Sequence, residues 1–454
     1  MSIQRADCCI DIDRYSEACV TLLDLTPRQT TTDRTTALPV VIIGAGPIGL
    51  AAAAHLADRG IEFVVLEAGE DIADSVRQWG HTRLFSPWKH LVDPVARRML
   101  EATGWTLPDP ERAPRGAELV ESYLRPLARL DAIAPRVQTG VDVVAVARVG
   151  MDRTRTRARA ATPFVVRVRD EDGVRELAAR AIIDASGTYR TPNPLTSSGL
   201  DLIGWEEIAD AVTPALPDVR GRDRARFAGR HTAVVGAGHS AANTLLGLVA
   251  LAREEQGTRV TWVIRNAGAA RVSSSDDDEL ADRARLGSRV DRAVAQGLID
   301  VVDRFEIVRA RRAGERVALV GMRGGELVVH ETDVIVNATG FRPNLEMLRE
   351  IRLDLDDIVE APRRLAPLID PNVHSCGTVE PHGFRELAHP EQGFFIVGMK
   401  SYGRAPTFLL ATGYEQVRSV VAWLDGDVES AASVELVLPA TGVCSTDAAG
   451  GCCT

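Results

Sequence analysis

Two segments far apart in the chain read the same way. Residues 39 to 69, PVVIIGAGPIGLAAAAHLADRGIEFVVLEAG, and residues 231 to 265, HTAVVGAGHSAANTLLGLVALAREEQGTRVTWVIR, each run β-branched, then glycine-rich, then alanine- and leucine-rich, then β-branched again. Short β-branched runs bounded by glycine predict strands, and the stretch between them predicts a helix. Strand, tight turn, helix and second strand make a βαβ unit, whose crossover requires a parallel sheet covered on both faces. A chain that carries the unit twice is held to an α/β architecture with two such sheets.

Each half closes alike, in AIIDASGTYRTPNP at residues 181 to 194 and in DVIVNATGFRPN at 333 to 344. A further strand and long helix, GFFIVGMKSYGRAPTFLLATGYEQVRSVVAWL, follow the second half. The second unit therefore reads as inserted in the first. Residues 38–195 and 335–426 form one domain, 196–334 the other, 1–37 a flexible arm and 427–454 a tail. A length of 454 residues suits two large domains. Residues 80 to 110, with Pro87, Pro94, Pro108 and Pro110, read as loop-rich, and AELVESYLRPLARL after them as helix. VQTGVDVVAVARVG and FVVRVRD read as strands joined by a solvated loop that carries Arg153, Arg155, Arg157 and Arg159.

The glycine spacing gives the chemistry. In Gly44-Ala45-Gly46-Pro47-Ile48-Gly49 the first glycine permits the tight turn and the second lets backbone approach a pyrophosphate. The third allows close packing of helix on strand, so phosphates meet the positive helix N-terminus. Glu67, followed by Ala68, ends the second strand, where a carboxylate can take both ribose hydroxyls. The second fingerprint is Gly236-Ala237-Gly238-His239-Ser240-Ala241, with alanine at the third position. Its second strand ends in Arg265, not in an acid; a guanidinium pairs with a 2′-phosphate that a carboxylate would repel. Two dinucleotide sites on one chain are explained by FAD in the first and NADPH in the second, with hydride passing between them.

The formal charge of −10 disfavours nucleic acid and anionic membrane surfaces as partners. Arg5, Asp7, Asp11 and Asp13 stand where a leader would need apolar residues, and no run reaches spanning length, so the cytoplasm is expected. A homo-oligomer stays open. His374, Cys376, His382 and His389 share a segment broken by Pro381, Gly383 and Pro390, which suits a pocket wall by the flavin or plain packing better than a metal site.

With these motifs in place the chain resembles the two-dinucleotide-binding-domain flavoproteins, in their flavin-containing monooxygenase-like branch, over residues 39 to 425. The likeness rests on GAGPIGLAAAAHL, RQWGHTRLFSPW, IIDASGTYRTPNP, VVGAGHSAANT, VNATGFRPN and GFFIVGMKSYGRAPTF. It implies that Gln78, Trp79, Arg83, Leu84, Phe85 and Ser86 line the flavin, that Val143 lies by the adenine, and that Ala185, Ser186 and Gly187 touch the FAD, with Gly398 in the last motif. Asn337 to Phe341, with Thr339 and Gly340, would form the hinge beside the nicotinamide cofactor. One departure stands out: the signature F-x-G-x-x-x-H-x-x-x-[FY] is missing from ALPDVRGRDRARFAGRH, ahead of the second fingerprint.

Disulfide reductases of this fold need paired cysteines beside the flavin, and none lies between Cys19 and Cys376. The remaining thiols sit at the ends. Cys8, Cys9, Cys19, Cys444, Cys452 and Cys453 are candidate soft ligands for a trivalent centre such as arsenic(III). The overall pattern, with VHSCGTVEPHGFRELAHPEQGFFIVGMKSYGRAPTF and a Cys-Cys tail, is similar to flavin monooxygenase-like proteins of actinobacterial arsenic-resistance operons. The expected activity is NADPH-dependent oxygenation of a soft nucleophile, a trivalent arsenical or thiol compound, by molecular oxygen. Two alternatives stay open: a flavoprotein reductase working through the tail thiols, and a thiol-based arsenic-binding protein whose flavin is structural.

Overall fold

A computed structural model describes residues 37–267, 281–370, 381–405 and 408–436. All seven cysteines, and His374, lie outside the described residues, and with them the arsenic(III) ligand set.

The chain opens with β1 (Val40–Ile43), the helix Pro47–Asp58 and β2 (Phe63–Leu66). After β3 (Val137–Gln138) come the antiparallel strands β4 (Asp142–Arg148), β5 (Phe164–Asp170) and β6 (Gly173–Ala179), then β7 (Ala181–Asp184). The second unit holds β8 (Val212–Pro214), β9 (His231–Val235), the helix His239–Glu254, β10 (Arg259–Val263) and β11 (Asp300–Val302). It continues through the meander β12 (Glu306–Ala313), β13 (Arg316–Arg323) and β14 (Glu326–Thr332) to β15 (Val334–Asn337). Finally β16 (Phe394–Ile396) leads to the helix Leu410–Asp425.

The two parallel sheets run β16-β7-β1-β2-β3 and β11-β10-β9-β15-β8. Both follow from the βαβ repeat, and each is covered on two faces. In the first, Val40 and Ile42 enter a core with Val65 and Ile183 under the helices, whereas Val41 and Ile43 enter another with Phe164 and Val166 of the antiparallel sheet. The period of two assigns alternate residues to opposite layers. Fully burying one such branched side chain contributes about 1.5–3 kcal/mol. In the second sheet Val234 and Trp262 face one core, Ala233 and Val263 the other.

The loop-rich stretch from 80 to 110 holds the helix Pro94–Glu101, whose N-cap, Asp93, accepts the N–H groups of Val95 and Ala96. The helix after it carries a π-turn at Val120–Leu124, just before Pro126, which has no N–H to donate. Arg159 is buried against Glu391, not solvated. The expected boundary at 334/335 falls inside β15, which pairs with β9 along its whole length; the chain leaves the second sheet only after Asn337.

The two connections between units run side by side. Pro192 and Phe341 form an antiparallel bridge, the Asn193 N–H donates to Gly340 O at 2.9 Å, and Asn337 Nδ2 donates to Asn193 O at 2.9 Å. Among the described residues no helix is long and apolar enough to cross a membrane.

Candidate functional site

In doubly wound sheets ligands bind beyond the carboxyl ends of the strands. At that edge of the first sheet the glycines separate into two kinds. Gly44 has φ of +99°, and a Cβ there would lie 2.8 Å from Ala185 O; a Cβ on Gly49 would lie 1.9 Å from Gly44 O. Both are required by the protein's own packing. A Cβ on Gly46 would meet no protein atom within 4 Å. That open backbone is what a pyrophosphate needs, and no side chain caps the helix Pro47–Asp58 that starts beside it. Ile48 is buried against Gly398 and Gly413, so the third glycine-bearing segment closes on the same helix start.

Glu67 is buried and held at both oxygens: Ala45 N donates to Oε2 and Gly69 N to Oε1, each at 2.8 Å. Each oxygen keeps a lone pair, enough to accept from ribose hydroxyls. Ala68 is half-buried beside it. Ala185, Ser186 and Gly187 follow β7 directly against Gly44, with Gly187 at φ of +69° and open space around its Cβ position.

The second fingerprint repeats the division. Gly236 has φ of +132°, and its Cβ would sit 2.0 Å from Ala338 O, whereas Gly238 is open. The Gly236 carbonyl is itself held, since Trp262 Nε1 donates to it at 2.6 Å. Ala241 is fully buried in the core under the helix, while Arg265 is exposed just past the end of β10. Thr339 and Gly340 pack on Asn193 in the paired connections.

The loop expected to line the flavin lies between the units. Trp79 packs on Gly116 and Leu84 on the first core. Arg83 Nη1 donates to Ala113 O at 2.6 Å, and Ser86 is half-buried. Gln78 is exposed, its side chain donating to Asp74 at 2.9 Å and its carbonyl accepting from Arg222 of the second unit at 3.3 Å. Phe85 reaches across to the second core and packs on His239, ring centroids 5.2 Å apart and planes tilted by 59°. Val143 is buried in the core behind the first sheet, at a bulge of β4.

Sequence reasoning overlooked three residues where the two units meet. His81 meets the Pro217 backbone and the Asp218, Asp223 and Arg222 charges; burial outweighs the acids and holds its imidazole below the ordinary range. Tyr189 donates to Ala215 O at 3.2 Å and packs on Phe341. Arg222 belongs to the segment that lacks the monooxygenase signature, so that segment reaches the first unit with a guanidinium. His81 lies in RQWGHTRLFSPW and Tyr189 in IIDASGTYRTPNP, and their contacts with the second unit single them out. His382 and His389 are both buried, the first bonded to Gln416 at 2.8 Å and the second accepting from Asp354 N at 3.2 Å. Among the described residues no three His, Cys, Asp or Glu cluster as a metal site.

Two open glycine turns at the carboxyl edges of two parallel sheets, joined by paired connections, define the class of two-dinucleotide-domain flavoproteins. The chain belongs to the pyridine nucleotide-disulphide oxidoreductase family, whose model matches residues 41–375. It is 30% identical over 229 residues to indole-3-pyruvate monooxygenase YUCCA1 of Oryza sativa subsp. japonica, a match covering 50% of this chain and 47% of the relative. The chain thus spans less than half the length of the curated relatives it matches. Among solved structures, bacillithiol disulfide reductase Bdr (YpdA) from Bacillus cereus superposes with a TM-score of 0.63 at 21% identity, covering 86% of this chain and 99% of that one. Flavin-containing monooxygenase from Stenotrophomonas maltophilia does so with a TM-score of 0.54 at 22% identity, covering 85% and 99%. These likenesses carry the fold.

Proposed function

We propose that the chain is an NADPH-dependent FAD monooxygenase that oxygenates a soft nucleophile, a trivalent arsenical or a thiol compound. The observation that carries this reading is the pair of ligand-open glycines, Gly46 and Gly238, in a chain with no cysteine between Cys19 and Cys376. The residues suit FAD in the first unit and NADPH in the second. When bound, FAD would take hydride from the nicotinamide and pass two electrons to oxygen. The reaction balances as NADPH, a proton, oxygen and substrate giving NADP, water and oxygenated substrate. The protein's part is to bind and orient: Glu67 for the ribose, Arg265 for the 2′-phosphate, and the loop from Gln78 to Ser86 for shielding the reacting edge from water. The monooxygenase relatives support oxygenation.

The test is NADPH consumption in air with and without trivalent arsenicals and thiols, scoring oxygenated product. Oxygenated product that scales with NADPH used supports the reading. Release of peroxide alone, whatever the substrate offered, overturns it. A reductase would need the terminal thiols, so Cys452→Ser with Cys453→Ser separates the two: a reductase loses turnover, an oxygenase retains it at saturating substrate.

A further inference from the structure

A lysine with no exposed surface lies at the centre of the first unit. Lys400 Nζ donates to Asp184 Oδ2 at 2.7 Å and to Ser186 Oγ at 3.1 Å, and both members of the ion pair are fully buried. Asp184 Oδ1 accepts from Ser186 N at 3.1 Å and from Ser186 Oγ at 2.6 Å. The three side chains form a closed ring of hydrogen bonds around one turn.

Its place in the sheet gives the ring its meaning. Asp184 is the last residue of β7 and registers with Ile43 on one side and Ile396 on the other, so it marks the carboxyl edge of three neighbouring strands. The next residues, Ala185 and Ser186, are those a Cβ on Gly44 would strike. The Ser186 turn is therefore pressed on the first fingerprint. Lys400 comes from the turn after β16, whose Gly398 N–H is fixed by Gln416 Oε1 at 2.7 Å. One ion pair thus joins the turns that follow β7 and β16 to the wall of the dinucleotide site.

Removing two charges from water costs more than an apolar pair of similar shape would, so packing alone does not account for them. We propose that Lys400 is a positioning residue of the flavin site, acting through Asp184 and Ser186 to set the Ala185–Gly187 turn against which the cofactor lies. This rests on the FAD reading above.

The experiment compares the full chain with Lys400→Met, Asp184→Asn, Lys400→Arg and the double variant Lys400→Met/Asp184→Leu. Thermal stability is followed without cofactor; FAD affinity and the visible circular dichroism of bound flavin are followed with it. Either neutralising single change leaves one buried charge unpaired and lowers stability, whereas the double variant removes both charges and recovers it. The proposal expects the recovered double variant still to bind FAD about tenfold or more weakly, with an altered dichroism, as coupled residues in one network do. Lys400→Arg should restore part of the affinity. If the double variant matches the parent in affinity and dichroism, the pair only packs and the proposal falls. If the parent chain binds no FAD, the cofactor reading fails first, a result told apart by the parent alone.

Discussion

The carboxylate of Glu67 accepts the main-chain N–H of Ala45 at 2.8 Å, so the acid that ends β2 is tied to the glycine turn that follows β1. Two sites 22 residues apart in sequence are thereby fixed as one cradle. Glu67→Gln keeps the shape but exchanges one acceptor oxygen for a donor that faces an N–H. Dinucleotide affinity should fall about ten- to a hundredfold, the equivalent of ~1.4–2.8 kcal/mol. Flavin fluorescence titration measures it, and unchanged affinity would remove Glu67 from the site.

The two kinds of glycine make opposite predictions for the same substitution. Gly49→Ala puts a methyl 1.9 Å from Gly44 O, so the helix must shift and the melting temperature must drop, with or without cofactor. Gly46→Ala meets no protein atom within 4 Å and should leave the apo melting temperature almost unchanged while abolishing the gain in stability on adding FAD. Parallel melting curves for the two variants decide it. Equal apo destabilisation would mean that Gly46 serves packing.

Gly44 and Gly236 were legible in the sequence because glycine is the residue that takes a φ of +99° or +132° beside a carbonyl without a Cβ clash. The strand β6, GVRELAA, was not, since four of its first residues are exposed and no apolar period marks it. The helix after Asp93 hid behind Pro94, which reads as a breaker yet is favoured at the first helical position. Arg159 carries no local mark that separates it from Arg153, Arg155 or Arg157; its partner lies 232 residues away. The Asp184–Lys400 pair spans 216 residues and was equally out of reach of spacing arguments.

Arg265 stands exposed just past the end of β10, and the NADPH reading proposed above gives it the 2′-phosphate. Arg265→Glu replaces a group that attracts a 2′-phosphate with one that repels it. The ratio of kcat/KM for NADPH over NADH should fall about tenfold or more, through KM for NADPH. An unchanged ratio would assign cofactor choice to other residues.

Acid should loosen both units. Burial pushes His231 down to about 4, with Arg259, His330 and Arg316 adding and Asp333 opposing. His389 is likewise pushed down to about 4 by burial. An unfolded imidazole titrates near pH 6.5, so between about pH 6.5 and 4 the unfolded chain binds protons that the folded one refuses. Stability therefore falls as pH drops through that window and levels off below it, by up to ~3 kcal/mol per histidine. Urea unfolding at pH 7.5, 6, 5 and 4 reads the slope. His231→Gln, which retains a partner for Thr261, should flatten it, and an unaltered slope would mean that His231 titrates normally.

Glu391 receives two buried arginines at once. Arg148 Nε donates to Oε1 at 2.8 Å, Arg159 donates through Nε and, at 2.7 Å, through Nη2 to Oε2, and the Arg352 N–H is the third donor residue at 3.2 Å. Burial alone would push this carboxyl up, but the bonds from Arg159 and Arg148 outweigh it and hold Glu391 below the usual range. The Arg148 guanidinium also lies 3.6 Å from the Phe164 ring centroid, so the triad joins the antiparallel sheet to the segment that precedes β16. Glu391→Gln would leave two cations facing each other without their anion, and should cost about 3–5 kcal/mol. The triple change Arg148→Met, Arg159→Leu and Glu391→Leu removes all three charges and should cost less than that single one, because no buried charge stays unpaired. Chemical denaturation of both variants checks the order. The reverse order would mean that the triad stabilises the fold through its charges, beyond the space it fills.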